Sequence, residues 1–344
     1  MVSNRSNRTH HRISIFHQNF AMVCPNRVVH SVFAMTDTRT IPEKAPVAPE
    51  ISALDARRGF FFALSAYLFW GVLPFYMKAV AHIPATEVVA HRIIWSMPIA
   101  AGLLIWLGRT ADIRKAVKSP RILAMGALTA ALITINWGIY VWAIGHDRAL
   151  ETALGYYINP LFSIFLGAVL LGERLSRMQI AAIGLAALAV AILTWETGGL
   201  PWVSVGLAVS WGFYALFKKT LPIGPAQGFF LEVLLLSAPA LAYVIYVEAS
   251  GQGHFGDTGA TDVLLLLGCG VVTAVPLILY ANGAKLLKLS TIAMMQYIAP
   301  TMIFFIAVFI FHEPFDAARA FAFAMIWTAL ALYTWSEIVS RKDV

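Results

Sequence analysis

The sequence predicts an all-α membrane protein, ten transmembrane helices arranged as two inverted repeats of five. Three observations predict it. Of the 344 residues, 59% are apolar and only 12% are charged, about half the charged share of a soluble domain. Ten windows are long and apolar enough to cross a bilayer. The chain also matches itself at an offset of 140 residues, the separation of Tyr157 from Tyr297. Such a composition excludes an ordinary soluble enzyme and, equally, a disordered chain. The net charge of +7 would point to nucleic acid only if Lys and Arg gathered on one face. They lie in short gaps between apolar runs, so no nucleic acid partner is expected. Two cysteines, Cys24 and Cys269, form neither a disulfide framework nor a four-ligand zinc site.

A helix needs roughly 20 apolar residues to cross about 30 Å of hydrocarbon with its backbone groups satisfied internally. Windows of this kind run over 59–77, 88–107, 122–144, 152–171, 178–195, 203–217, 226–247, 263–282, 291–311 and 317–336. The sixth is short, and Glu232 interrupts the seventh. Between them the basic residues alternate. Arg57, Arg58, Arg109, Arg114, Lys115, Lys118, Arg121, Arg174, Arg177, Lys218, Lys219, Lys285, Lys288, Arg341 and Lys342 fall on one side of the membrane, and Lys78, Arg148 and Arg319 on the other. Cytoplasmic loops carry the excess of Lys and Arg, so both termini are expected in the cytoplasm, which requires an even number of spans. The polar leader, 1–55, has no apolar stretch of the kind a signal peptide needs. From Met35 it reads MTDTRTIPEKAPVAPE, a disordered Pro- and Glu-containing segment. Translation is expected to start at Met35, which would leave residues 1–34 untranslated and the N-R-S and N-R-T matches at Asn4 and Asn7 without meaning. The first repeat then occupies 56–198, the second 199–338, and a cytoplasmic tail 339–344.

At the 140-residue offset the identities include Ala153 with Ala293, Tyr157 with Tyr297, Ile158 with Ile298, Pro160 with Pro300, Phe165 with Phe305, Glu173 with Glu313 and Trp195 with Trp335; Tyr140 pairs with Tyr280. One residue further along, Trp70-Gly71 pairs with Trp211-Gly212. Alanine matches between apolar helices are cheap, but Tyr, Pro, Glu and Trp matches are not. Five spans per copy is an odd number, so the second copy must enter the membrane in the opposite sense. Inverted repeats are the architecture of secondary transporters, whose site lies near the midplane between the copies.

Several strings also resemble a known family. The five-plus-five layout, the Trp-Gly early in each half, and Leu171-Gly172-Glu173-Arg174-Leu175 after the fourth span resemble the drug/metabolite transporter superfamily with its paired EamA domains. Ala90-His91-Arg92-Ile93-Ile94-Trp95-Ser96, Ala153-Leu154-Gly155-Tyr156-Tyr157-Ile158-Asn159-Pro160 and Gln296-Tyr297-Ile298-Ala299-Pro300-Thr301 are similar to the RarD branch of it. The resemblance covers nearly all of 59–337 and implies a ten-helix permease of the bacterial inner membrane. RarD proteins are described as chloramphenicol-sensitivity or resistance permeases, and export fits the family better than uptake. One departure is His312-Glu313-Pro314, where Gly-Glu is more usual; it is expected to alter a loop and not the transport path.

Ionisable groups inside spans cost about 2.5–3.5 kcal/mol on insertion scales and normally face the protein interior. Here they are His91, Arg92 and Glu232. Arg92 and Glu232 occupy equivalent places in the two copies, which leaves two readings: a charge pair that breaks and re-forms between inward- and outward-facing states, or two residues that help fold the bundle. Glu232 and His91 are the candidate carriers for a coupling proton; otherwise another ion couples transport, or the protein is a uniporter. A second group is aromatic and amide: Asn136, Trp137, Tyr140, Tyr156, Tyr157, Asn159, Trp211, Tyr214, Tyr280, Asn282, Gln296 and Tyr297. Asn136 and Tyr140 share a helix face. A cavity lined this way suits a small amphipathic organic solute, whereas Trp142, Trp195 and Trp335 read as interfacial belt residues. Pro160 and Pro300 remove a backbone donor in mid-span and are either hinges or static kinks. Glu173 and Glu313, at span ends, read as caps or loop ion-pair partners. No Walker sequence, HExxH, GxSxG or metal-spaced Cys–His cluster occurs, so no cofactor, metal or ATP hydrolysis is expected. The alternative from another class, an intramembrane enzyme acting on a lipid-soluble substrate, would have to draw on His91, Arg92 and Glu232 together. Oligomeric state is not legible.

Overall fold

A computed structural model describes residues 53–172, 174–256, 259–287 and 289–340. The leader around Met35, Glu173 and the last four residues lie outside the described residues. Every regular element among the described residues is helical. In the first half these are α1 (Ala53–Ala79), α2 (Ala85–Trp106), the short α3 (Thr110–Val117), α4 (Pro120–Gly145), α5 (Ala149–Leu171) and α6 (Arg177–Thr197). In the second they are α7 (Trp202–Thr220), α8 (Pro225–Ala249), α9 (Ala260–Leu286), α10 (Leu289–Met295), α11 (Ile298–Phe305), with a π-helical turn at Ile306–Ile310, and α12 (Ala317–Ser340).

Among the described residues eight helices are long and apolar enough to cross a membrane: Leu54–Ala79, Ala85–Trp106, Pro120–Gly145, Ala149–Leu170, Arg177–Thr197, Ala226–Ala249, Ala260–Ala284 and Ala317–Ser336. Glu232 does not interrupt the seventh predicted window, since α8 runs through it. The other two windows are helical without meeting the same test. α7 has 19 residues and ends on Lys218, Lys219 and Thr220. The window at 291–311 is divided at Gln296 and Tyr297 into α10 and α11, of 7 and 8 residues. Pro300 offers no N–H to the Gln296 carbonyl at this break, but a proline alone does not divide a helix. Pro160, its counterpart, sits inside an unbroken α5, so the two prolines do not act alike.

Local chemistry fixes several ends. Ser176 begins α6 with a reciprocal capping box, its Oγ accepting from Gln179 N at 3.2 Å while Gln179 Oε1 accepts from Ser176 N at 2.8 Å. Gly172 closes α5 in the left-handed region, with φ 68°. His312 stands at the equivalent place in the second half and also adopts a positive φ, 53°, so the departure from Gly puts a side chain where glycine is favoured.

Glu313, next along, closes the opposite end of a distant helix. Its Oε1 accepts from Ala149 N at 2.6 Å and its Oε2 from Leu150 N at 2.8 Å, so a carboxylate 164 residues away caps the N-terminus of α5. Glu313→Ala is expected to lower stability by about 1–2 kcal/mol, the worth of a lost cap, measured by thermal unfolding in detergent. Burial pushes the Glu313 carboxyl above its ordinary value of 4.5, the two N–H donors opposing that shift. A raised folded-state pKa means the native form holds the proton longer. Its contribution is therefore fully present below about 4.5 and is lost as pH rises through the raised value. The stability difference between wild type and Glu313→Gln should accordingly fall as pH rises through that window.

The helix contacts have an exchange pattern. α1 packs on α9 as α7 packs on α4; α5 packs on α7 as α11 packs on α1; α2 packs on α9 as α8 packs on α4; and α2–α8, α5–α11 and α6–α12 pair with each other. Swapping the first-half helices for their second-half counterparts leaves these contacts unchanged. The Trp-Gly pairs obey the same rule. A Cβ at Gly71 would meet the Met302 side chain, and one at Gly212 would meet the Phe162 ring, two residues beyond Pro300 and Pro160 respectively. Around the outside, large apolar side chains face outward, among them Phe61, Ile105, Trp106, Leu264, Trp195 and Trp335, an apolar surface suited to lipid and not to water.

Candidate functional site: a buried arginine among aromatic residues

Arg92, in the second turn of α2, is 4% exposed. Its Nε donates to Thr273 Oγ1 on α9 at 3.0 Å, and its guanidinium carbon lies 4.8 Å from the centre of the Trp137 ring on α4. Its Nη1 has no hydrogen-bond partner among the described residues. The Cys269 thiol and the hydroxyls of Tyr140, Tyr156 and Tyr76 lie within its electrostatic range. Thr273 Oγ1 passes its own hydrogen to the Cys269 carbonyl at 2.8 Å, and the Tyr76 hydroxyl donates to the Leu265 carbonyl. The Tyr140 hydroxyl is buried without a partner among the described residues, its ring centre 5.9 Å from that of Tyr156. Thus α1, α2, α4 and α5 of the first half and α9 of the second converge on one cation. A desolvated cation–π contact is worth about 2 kcal/mol, while a buried ion without a countercharge costs several. The protein's own groups therefore leave this guanidinium under-satisfied.

His91 faces elsewhere. Its Nδ1 accepts from Trp95 Nε1 at 3.0 Å, and its ring stacks on Phe255 with centres 5.0 Å apart. Phe255 also lies 5.7 Å from Trp95. It belongs to the α8–α9 connection, which is fastened inward by carboxylates: Glu87 accepts from His254 N at 2.7 Å and contacts His254 Nδ1 at 2.8 Å, and Glu248 Oε1 accepts from Phe255 N at 2.8 Å. His254 and Phe255 are thereby held against α2.

Glu232 and Arg92 are not paired with each other in this structure. Glu232, 1% exposed, accepts from Lys218 Nζ at 2.6 Å and from the Tyr214 hydroxyl at 3.3 Å. Equivalent positions in a two-fold arrangement meet only near the axis; Arg92 faces α4 and α9, and Glu232 faces α7.

The aromatic and amide residues fall into several contact groups. Trp137, Tyr140 and Tyr156 surround Arg92. Tyr157 and Tyr297, with ring centres 6.4 Å apart, line an open apolar groove of about 550 Å³ with Thr301, Phe304, Trp327 and Trp335. The Tyr157 hydroxyl meets Thr301 Oγ1 at 2.6 Å, and Gln296 sits in the α10–α11 break beside Tyr297. Tyr280 packs against Tyr67 and Trp70 at 6.0 and 5.7 Å, and Trp211 against Tyr214 at 5.6 Å. Asn136 ties α4 to α7, donating to the Leu207 carbonyl at 3.2 Å and to Ser210 Oγ at 2.9 Å. Asn282 turns back to the Ile278 carbonyl at 2.9 Å, whereas Asn159 Oδ1 is buried without a partner among the described residues. Trp195 and Trp335 are exposed, as belt residues are; Trp142 instead packs on His146 and Trp202. Among the described residues no three His, Cys, Asp or Glu side chains are grouped to hold a metal.

Reading the sequence alone misses Thr273, Cys269, Tyr76, Phe255 and Lys218. Lys218 was within reach, since it stands one turn beyond Tyr214 on the same face. The others are ordinary residues of apolar helices or of a loop, and only tertiary packing brings them to Arg92 and His91.

Comparison with known proteins supplies independent findings. The profile of the EamA-like transporter family matches residues 57–195. Protein RarD of Streptomyces exfoliatus is 38% identical over 288 residues, 84% of this chain and 91% of that protein. The uncharacterized transporter YojE of Bacillus subtilis is 39% identical over 292 residues, covering 84% and 97%. The chloramphenicol-sensitive protein RarD of Pseudomonas aeruginosa is 29% identical over 81% of this chain and 94% of its own. A crystal structure with 19% sequence identity superposes with a TM-score of 0.51, over 82% of this chain and 96% of the other, a likeness of fold alone.

Proposed function

The chain belongs to the EamA-like transporter family, alongside the RarD proteins, and from that premise we propose a ten-span secondary permease of the bacterial inner membrane that exports a small amphipathic organic solute by alternating access. Family membership makes it a multi-pass membrane transporter and not an enzyme. In the finer reading, α7 and the α10–α11 segment complete the ten spans, the two halves are inverted copies, and both termini are cytoplasmic. The contact pattern that survives exchange of the halves supports the duplication, and the lopsided distribution of Lys and Arg supports the orientation.

The observation that carries the proposal is the Arg92 centre, drawn from four helices of one half and one of the other. An inverted-repeat transporter binds its solute between its two copies, which supports reading this centre as the solute site. The intramembrane-enzyme reading loses its footing because His91, Arg92 and Glu232 belong to three separate groups. A chloramphenicol-type compound enters as a candidate through the printed name of the Pseudomonas relative. The test is a thermal-shift panel of amphenicols, aromatic acids, nucleosides and cationic dyes on the purified protein. A solute at 100 times its dissociation constant should stabilise by about 2.7 kcal/mol. A shift lost in Trp137→Ala and kept in Tyr157→Ala is the expected result; the reverse would move the site to the open groove.

A further inference from the structure

We propose that the transported solute carries an anionic group, a carboxylate or a comparable oxyanion, on an aromatic or apolar body, and that Arg92 binds that group with Trp137 and Tyr140 beside it. This rests on the permease reading above. The first reason is the pair of unused polar groups. Arg92 Nη1 and the Tyr140 hydroxyl are both buried and both lack partners among the described residues, and each is a donor from which an oxyanion can accept. A carboxylate offers two oxygens to a guanidinium fork and is the group such a fork binds most strongly.

The second reason is what the other acids do. Glu232 is held by Lys218, Glu87 by His254, Glu151 by Arg148 and Glu313 by the α5 backbone. Among the described residues no carboxylate pairs with Arg92. The third reason is the surroundings: Trp137, Tyr140 and Tyr156 give flat apolar faces beside the charge, suited to an aromatic body. A cationic solute would be repelled. A neutral one would leave the guanidinium without a countercharge.

The experiment uses the full chain in phosphatidylcholine nanodiscs and matched sets of benzoate, indole-3-carboxylate and phenylphosphonate with their neutral amides or esters and the corresponding amines. Binding is read by tryptophan fluorescence and calorimetry. At least one acid should bind at least about tenfold more tightly than its neutral partner, the difference expected of charge-assisted hydrogen bonds, with the amine weaker still. Arg92→Gln should erase that preference, and Arg92→Lys should weaken it while keeping its sign. If the Arg92 variants do not fold, the wild-type comparison still decides. The inference is overturned if no acid in the set shows the preference, or if Arg92→Gln keeps it. Repeating the titration in phosphatidylglycerol discs separates solute from lipid: unchanged acid binding supports a solute site, and loss of binding there means that a lipid headgroup fills it. Acid-selective binding without transport would remove the permease reading and leave the anion site. Transport of neutral solutes, indifferent to Arg92→Gln, would do the opposite.

Discussion

Lys218→Met is expected to lower the stability of the protein by about 3–5 kcal/mol, because it leaves a buried carboxylate without its cation. Glu232 is 1% exposed and Lys218 Nζ lies 2.6 Å from it; the Tyr214 hydroxyl at 3.3 Å cannot replace a charge. The double variant Lys218→Met/Glu232→Met should recover most of the loss, since exchanging a whole buried pair for apolar groups of similar volume is often neutral or stabilising. Unfolding in detergent, followed for both single variants and the double, measures the coupling directly. Additive losses would show that the two residues act independently and that the pair is not what fastens α7 to α8.

Phe255→Ala should free the α8–α9 connection from His91 and Trp95 and expose the adjoining interface of α2 with α9. The ring contacts His91 and Trp95, and such contacts are worth roughly 0.5–1.5 kcal/mol each beyond buried area. Cys269, buried beside Arg92, is the reporter. In a Cys24→Ser background, its alkylation by a membrane-impermeant maleimide should speed up by about tenfold or more, each 1.4 kcal/mol being about tenfold. An unchanged rate would mean that the connection does not cover that interface.

Much of the fold was legible because a membrane span is a long, one-parameter signal. The window at 203–217 corresponds to α7 and the window at 226–247 to α8, despite Glu232. The divided segment at 289–310 was not legible in the same way. A hydropathy window sees the same apolar run whether or not a break divides it, and Pro160 occupies the equivalent place in an unbroken helix. The cap made by Glu313 shows the other limit. Its residue type and its position at a span end pointed to capping, but the helix it caps begins at Ala149, far back in the chain, and no local pattern names a partner at that distance.

The candidate site was half legible for a related reason. Rarity inside apolar helices singled out His91, Arg92 and Glu232, and the repeat related the last two by position. Equivalence is not proximity, and in this structure the two face different helices. Trp137, Tyr140 and Tyr156 were selected as aromatic residues and do surround Arg92, while Tyr157, Tyr280, Tyr297, Trp211 and Tyr214 share their chemistry but face other surfaces. Which face a helix turns inward is decided by close approach of its neighbours, as where Gly71 meets Met302 and Gly212 meets Phe162. Side-chain type alone carries no such information.

Solute counterflow in proteoliposomes tests the central claim most directly. Vesicles containing the protein are loaded with the best-binding solute from the thermal-shift panel, and entry of the labelled compound is followed with no ATP present. The account predicts transient accumulation above the equilibrium level in wild type and its loss in Trp137→Ala and Arg92→Gln. Binding without accumulation in wild type, or accumulation untouched by both substitutions, would contradict a permease working through the Arg92 centre.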